Sequence, residues 1–206
     1  MTLTELYSSI DRHLQQDTKP SVYLNSICTN PLFQQHPFHM LYRLKQTEQS
    51  PLHHPEGNVW NHTMLVVDEA ATVKDKSENP RAFLWAALLH DIGKPDTTRH
   101  RKGKITAYDH DKVGAVLAKQ FLQEFTTDEP FIEAVSQLIR YHMQILFVVK
   151  GLPFADIQGM AKSTNLQEVA LLGLCDRLGR GHPDRVKEEE TIRIFLQKCH
   201  SVLSKL

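Results

Sequence analysis

The sequence predicts an all-α fold. Apolar residues recur at three- and four-residue intervals through most of the chain, and no alternating run is long enough to suggest a sheet. The stretches between the periodic segments carry helix-end punctuation. The first helix is expected over 3–16, where MTLTELYSSIDRHLQQ has the polar interruptions of a surface helix. A second, over 38–48, stops before Pro51 and the turn His54-Pro55-Glu56-Gly57, which opens a helix over 59–77. Asn79-Pro80 starts a helix over 80–92, ended by Gly93 and Pro95. Another covers 109–125 and stops at Thr126-Thr127-Asp128, which caps a helix over 128–146. Gly151 and Pro153 close that segment, 166–180 runs into the turn from Gly179 to Pro183, and the last helix covers 185–204. There is no repeat or low-complexity segment. The first 50 residues are less clearly patterned and carry several prolines, so 1–50 reads as a helical extension packed on a core of 51–206.

Composition narrows the function classes. The 206 residues are 41% hydrophobic and 23% charged, as in an ordinary globular protein. Lys and Arg total 24 and Asp and Glu total 24, so no bulk basic excess exists to hold a phosphate backbone. Any nucleic-acid partner has to be met locally. Cys28, Cys175 and Cys199 are too few and too scattered for a disulfide framework or a paired-cysteine zinc site, which fits a reducing cytoplasm. No uncharged stretch approaches the ~18–20 residues of a membrane span, and no secretory leader is evident at the N-terminus.

The metal-capable residues fall one to a helix. His62 follows the HPEGNVWN turn and precedes Leu65, Val66 and Val67 by a helical turn. His90 and Asp91 end the apolar run WAALLHD, and His110 opens the next helix on the side of Val113 and Gly114. His142 lies four after Leu138 and three after Ile139; Asp176 lies four after Leu172 and three after Gly173. Each faces inward, and buried ionisable groups are unfavourable unless paired or metal-bound. A common divalent cation answers the problem, because imidazole and carboxylate suit transition ions and a bridging carboxylate can hold two of them.

The order His62, His90-Asp91, Asp176 resembles the H…HD…D signature of the HD-domain metal-dependent phosphohydrolases. HPEGNVWNHT, LLHDIGKP, HDKVGA, RYHM and CDRLGRG resemble more closely the HD domain that follows the catalytic head of some bacterial tRNA nucleotidyltransferases, over about 53–181. Residues 1–50 are too short for such a head and hold no acidic pair in a suitable strand context. CCA addition is therefore not implied, and a stand-alone HD domain, a helical bundle with a short N-terminal extension, is expected.

The resemblance implies that His62, His90, Asp91 and Asp176 hold one metal, with Asp91 bridging to a second. His110 and His142 match two further histidines of binuclear members, and are otherwise core histidines or phosphate contacts. The implied cofactor is one or two divalent ions of iron, manganese, zinc, nickel or cobalt, with magnesium admissible. Lys94 matches HD-x-x-K, where a lysine holds a substrate phosphate, so Asp91 and Lys94 are the catalytic candidates. Arg99, within a cationic run with Arg101, Lys102 and Lys104, and Arg177 and Arg180, flanking Asp176, are candidate substrate contacts. Metal-activated water would attack phosphorus in a small phosphorylated substrate: a nucleotide with a 2′,3′-cyclic or 2′-phosphate, or a nucleic-acid end. No protein or membrane partner is implied. A di-iron oxygenase on the same ligand set and a non-catalytic nucleotide-binding signalling module are the rival readings. His53 and His54 read as turn residues, Asp68 as helix surface and Cys175 as a small packed hydrophobe. Glu56 is either a partner orienting a ligand histidine or a plain turn carboxylate, and His100, His182 and His200 are assigned to the surface.

Overall fold

A computed structural model describes residues 1–101 and 103–205. Its helices are α1 (Leu3–Gln16), α2 (Pro20–Ile27), α3 (His39–Tyr42), α4 (Val59–Val73), α5 (Pro80–Leu89) and α6 (Lys94–Thr97), then α7 (His110–Gln123), α8 (Glu129–Tyr141), α9 (Gln144–Lys150), α10 (Ile157–Ser163), α11 (Leu166–Leu178) and α12 (Arg185–Leu203). Single 3-10 turns lie at Pro31–Gln34, Arg43–Gln46 and Lys74–Lys76. The fold is all-α, as predicted, apart from a hairpin of β1 (Thr98–Arg101) and β2 (Lys104–Ala107), paired antiparallel. That hairpin corrects the expectation of no sheet. Four-residue strands are too short to display an alternating pattern.

Helix α5 is the axis of the molecule. Pro80 fits its first turn, where an N–H would be unpaired anyway, and the Asn79 side chain accepts from Ala82 N at 3.1 Å. Every residue from Ala82 to Leu89 is buried, as expected of a helix apolar all round. It packs among α1, α4, α8 and α11. Helix α7 packs on α8, which itself packs on α5, and α12 packs on α9 and α11.

Several boundaries differ from expectation. The helix expected over 128–146 breaks between Tyr141 and Gln144, and α2 and α10 were not foreseen. The segment 38–48 supplies only α3 and the 3-10 turn at Arg43–Gln46. Asp68 is no free surface residue: it accepts from Ser21 N at 3.0 Å and Ser21 Oγ at 2.7 Å, tying α2 to α4. Cys175 packs as a small apolar residue, and all three cysteines are free and buried. Among the described residues no helix is long and apolar enough to cross a membrane.

Candidate metal centre

Three of the four inward histidines stand at helix ends, and their rings use the carbonyls there. His90 follows the last residue of α5, and its Nδ1 lies 2.8 Å from Ala87 O. His142 follows the last residue of α8, with Nδ1 2.6 Å from Ile139 O. His110 opens α7, with Nδ1 2.6 Å from Ala107 O. A carbonyl only accepts, so each Nδ1 carries a proton, and in the neutral ring the lone pair falls on Nε2. The break at His142 is thus part of the site, because it frees the end of α8 to orient that ring.

The fourth ring, His62, lies within α4 and is fully buried. Its Nδ1 is 2.9 Å from Glu56 Oε1, which also accepts from His54 Nδ1 at 2.8 Å. The second oxygen, Glu56 Oε2, accepts from Gly181 N at 3.1 Å. Glu56 is therefore the orienting partner of His62 rather than a plain turn carboxylate. Burial opposes its charge, but these donors outweigh that and hold its carboxyl down at about 2.

The four Nε2 atoms and two carboxylates converge. His62 Nε2 lies 3.0 Å from Asp176 Oδ1 and 3.8 Å from Asp91 Oδ2, His90 Nε2 3.2 Å from Asp91 Oδ2, and His110 Nε2 3.5 Å from Asp91 Oδ1. His110 Nε2 and His142 Nε2 are 3.2 Å apart. Burial, then the neighbouring His110 and His90, pulls His142 down to about 4; burial also lowers His110. With both rings neutral and both Nδ1 atoms protonated, two lone pairs face each other with no proton between them. His90 Nε2 is buried without a hydrogen-bond partner. These observations fit a cation: imidazole nitrogens and carboxylate oxygens suit a transition ion, and the facing Nε2 atoms of His110 and His142 lack a donor between them.

The donors form two neighbouring triads, His62, His90 and Asp91, then Asp91, His110 and His142, each with donor atoms within 4.8 Å of one another. Asp91 belongs to both. Burial would raise the carboxyls of Asp91 and Asp176, but for Asp91 the charges of His90 and Lys94, and for Asp176 those of Arg180 and His62, hold them well below the usual range. Both are ionised.

The remaining predicted residues divide. Lys94 begins α6 and is buried, its Nζ 2.7 Å from Asp91 Oδ2 and 3.0 Å from Gln49 Oε1. It faces a cleft of about 450 Å³ whose walls include Asp91, His110, His142, Asp176, Arg177 and Arg180. That volume lies within the range of small-molecule sites. Arg180 NH2 is 3.8 Å from Asp176 Oδ2, and Arg177 Nε pairs with Glu188. Arg99 does not line the cleft. It is exposed on β1, donating to Asp96 O at 3.1 Å and Thr98 O at 2.8 Å, and Arg101 and Lys104 of the same run stand on the hairpin; Lys102 lies outside the described residues. His54, read as a turn residue, does line the cleft. His100, His182 and His200 are exposed.

The family profile described as "HD domain" matches residues 59–181. The Multifunctional CCA protein of Actinobacillus pleuropneumoniae serotype 5b is 47% identical over 57 residues, covering 28% of this chain and 13% of that protein. That of Methylococcus capsulatus is 27% identical over 168 residues, covering 80% of this chain and 33% of that protein. That of Aromatoleum aromaticum is 48% identical over 58 residues, again with 28% and 13% coverage. The chain thus spans a third or less of the length of these relatives.

Proposed function

The chain belongs to the HD domain family, a superfamily of metal-dependent phosphohydrolases, and from that premise we propose that it hydrolyses a phosphomonoester or phosphodiester of a nucleotide. Nucleotides carrying a 2′,3′-cyclic phosphate or a 2′-phosphate are the favoured substrates, in keeping with relatives named for CCA. The observation that carries the reading is the pair of unprotonated Nε2 atoms of His110 and His142, 3.2 Å apart beside ionised Asp91 at the floor of a nucleotide-sized cleft.

His62, His90, Asp91 and Asp176 would hold one ion, and Asp91, His110 and His142 would hold a second. A bound divalent cation supplies Lewis acidity toward a phosphoryl oxygen and makes water acidic enough to be a nucleophile near neutral pH. The chain's own groups do the rest. Ala87 O, Ala107 O and Ile139 O keep the protons of three imidazoles on Nδ1, and Glu56 does so for His62, so the ligand nitrogens are fixed before any ion arrives. Lys94 has two of its three N–H groups directed to Asp91 and Gln49, leaving one for a non-bridging phosphoryl oxygen. Arg180 and Arg177 add positive charge at the wall beside Asp176 and draw the anion in.

The test is a phosphoesterase panel on metal-reconstituted protein with metal content assayed. Asp91→Ala is expected to lose metal and turnover together, since it removes the donor common to both triads. Lys94→Met keeps every proposed ligand, so metal content should hold while kcat/KM falls roughly 30- to 1,000-fold, or ~2–4 kcal/mol. Absence of phosphate release across the panel, with substrate-dependent oxygen uptake by the iron form, would replace the hydrolase with the oxygenase.

A further inference from the structure

The hairpin has two unlike faces. Paired residues of an antiparallel ribbon point to one side and successive residues alternate. The register Arg99↔Thr106 and Arg101↔Lys104 therefore places those four side chains on one face, and Thr98, Ala107, His100 and Ile105 on the other. Thr98, Ile105 and Ala107 form a wall of the metal cleft, and Thr106 lines both the cleft and the groove on the other side. One ribbon thus separates the cleft from a cationic outer surface.

That outer surface borders a groove of about 360 Å³ lined in part by Arg99, Arg101, Thr106 and Tyr108. Arg99, Arg101 and Lys104 are exposed, and Tyr108 is 75% exposed although it is a large aromatic. The acids at the rim have cationic partners: Asp96 pairs with Arg43 at 2.6 Å and Asp109 with Lys112 at 2.7 Å. The neighbourhood keeps an excess of positive charge in a chain whose formal charge is zero. Arg99 and Arg101, two residues apart on a strand, are spaced by about 7 Å, on the scale of successive phosphates in an extended single strand. An exposed ring beside such a row is a stacking platform for a base. An acidic peptide would use the cations but has no need of the ring.

We infer that the outer face of the hairpin binds single-stranded nucleic acid, with backbone phosphates along Arg99 and Arg101 and a base on Tyr108, so that the strand's end reaches the cleft behind. The reach to the cleft rests on the phosphohydrolase reading. Binding to the face does not.

The experiment measures fluorescence anisotropy of a labelled octa-adenylate RNA with wild-type protein across a salt series. Two or three phosphate contacts give a slope of log affinity against log salt of about −1.4 to −2.1. Arg101→Glu should flatten that slope by about 0.7 and weaken binding. Tyr108→Ala should weaken binding roughly 5- to 100-fold with the slope unchanged. Absence of binding, indifference to both substitutions, or equal competition by a glutamate octapeptide would overturn the inference. Phosphate release from mononucleotides, followed in parallel, separates the two readings. Release without RNA binding sinks only the surface, and RNA binding without release sinks only the hydrolase.

Discussion

Glu56 shows how much of the centre depends on residues behind the ligand nitrogens. One of its oxygens accepts from both His54 Nδ1 and His62 Nδ1, so a single carboxylate sets which nitrogen of His62 is free. Glu56→Gln keeps the shape and removes the charge, and metal affinity should fall about 10- to 100-fold with the circular dichroism spectrum unchanged. Equal metal retention after dialysis would show that Gly179 O, 3.2 Å from the same Nδ1, suffices to orient the ring. The buried rings also fix the acid response of the metal-free protein. Burial beside the charge of Lys94 lowers His54 to about 4, and burial beside His110 and His90 lowers His142 to about 4. Unfolded, both titrate near 6.5. Between these values the unfolded chain binds more protons, so their contribution to stability is full above about 6.5 and is lost as pH falls toward 4. Glu56, depressed to about 2, extends the loss to lower pH with the same sign. His62, raised by Asp176 and Glu56 against its burial, contributes fully below about 6.5 and less as pH rises above it, so it leaves the trend between 6.5 and 4 intact and opposes it only above that window. Urea midpoints at about pH 6, 5 and 4 should fall in that order. A flat profile would mean that the buried rings take up protons as readily in the fold as outside it.

Gly93 carries the junction of α5, α6 and α7, and it does so by absence of bulk rather than by backbone freedom. Its φ of −81° is open to any residue, but a Cβ there would fall on His110 O and lie 2.6 Å from Gly114 N. Gly93→Ala must push α7 outward, carrying His110 away from Asp91. Such overpacking destabilises by about 1–3 kcal/mol, and the expected result is a lower Tm with loss of one of two bound ions. An unchanged Tm and metal count would show that the turn yields without moving α7. The sequence marks Gly93 as a helix stop, and it cannot reveal a contact with a backbone that lies further along the chain. The same distinction runs through the site. His62, His90, Asp91, His110, His142 and Asp176 are legible because a polar residue within an apolar helical pattern requires a buried partner, and local spacing exposes it. The break at His142 is not legible, since Tyr141 to Gln144 has no glycine or proline and the apolar rhythm continues across it. The role of Glu56 depends on His54, His62 and Gly181 meeting at one point, and that meeting is tertiary.

At the scale of the molecule, residues 1–50 do more than cover the core, although their weak patterning suggests an appendage. The side chains of Leu6, Tyr7, Ile10 and Leu14 belong to the same buried cluster as α5. Tyr7 stacks on Trp85 at 4.9 Å between ring centroids and on Phe125 at 4.5 Å, and Phe38 meets Phe121 edge-on at 5.4 Å. The indole N–H of Trp85 donates to Asp11 Oδ1 at 2.7 Å, and that of Trp60 to Asn25 Oδ1 at 2.9 Å. Gln49 completes the surroundings of Lys94. A chain starting at residue 51 would expose faces of Trp60, Trp85, Phe121 and Phe125. Burying an aromatic or large aliphatic side chain stabilises by about 1.5–3 kcal/mol, and each buried donor stripped of its acceptor adds a penalty of about 1–3 kcal/mol. Together these losses rival the ~5–15 kcal/mol that holds a domain folded. The fragment 51–206 should therefore lack a near-ultraviolet circular dichroism signal, bind a hydrophobic dye and elute as an aggregate, whereas the full chain should do none of these. Asp11→Ala is the graded version. It leaves Trp85 Nε1 and Arg81 Nε without their common acceptor and should lower stability by ~1–3 kcal/mol, read from the urea midpoint, while the metal content of the folded fraction is unchanged. A fragment 51–206 that stayed monomeric and took up metal like the full chain would make the first 50 residues a separable extension, and the assignment of Trp85 and its neighbours to a shared core would fall with it.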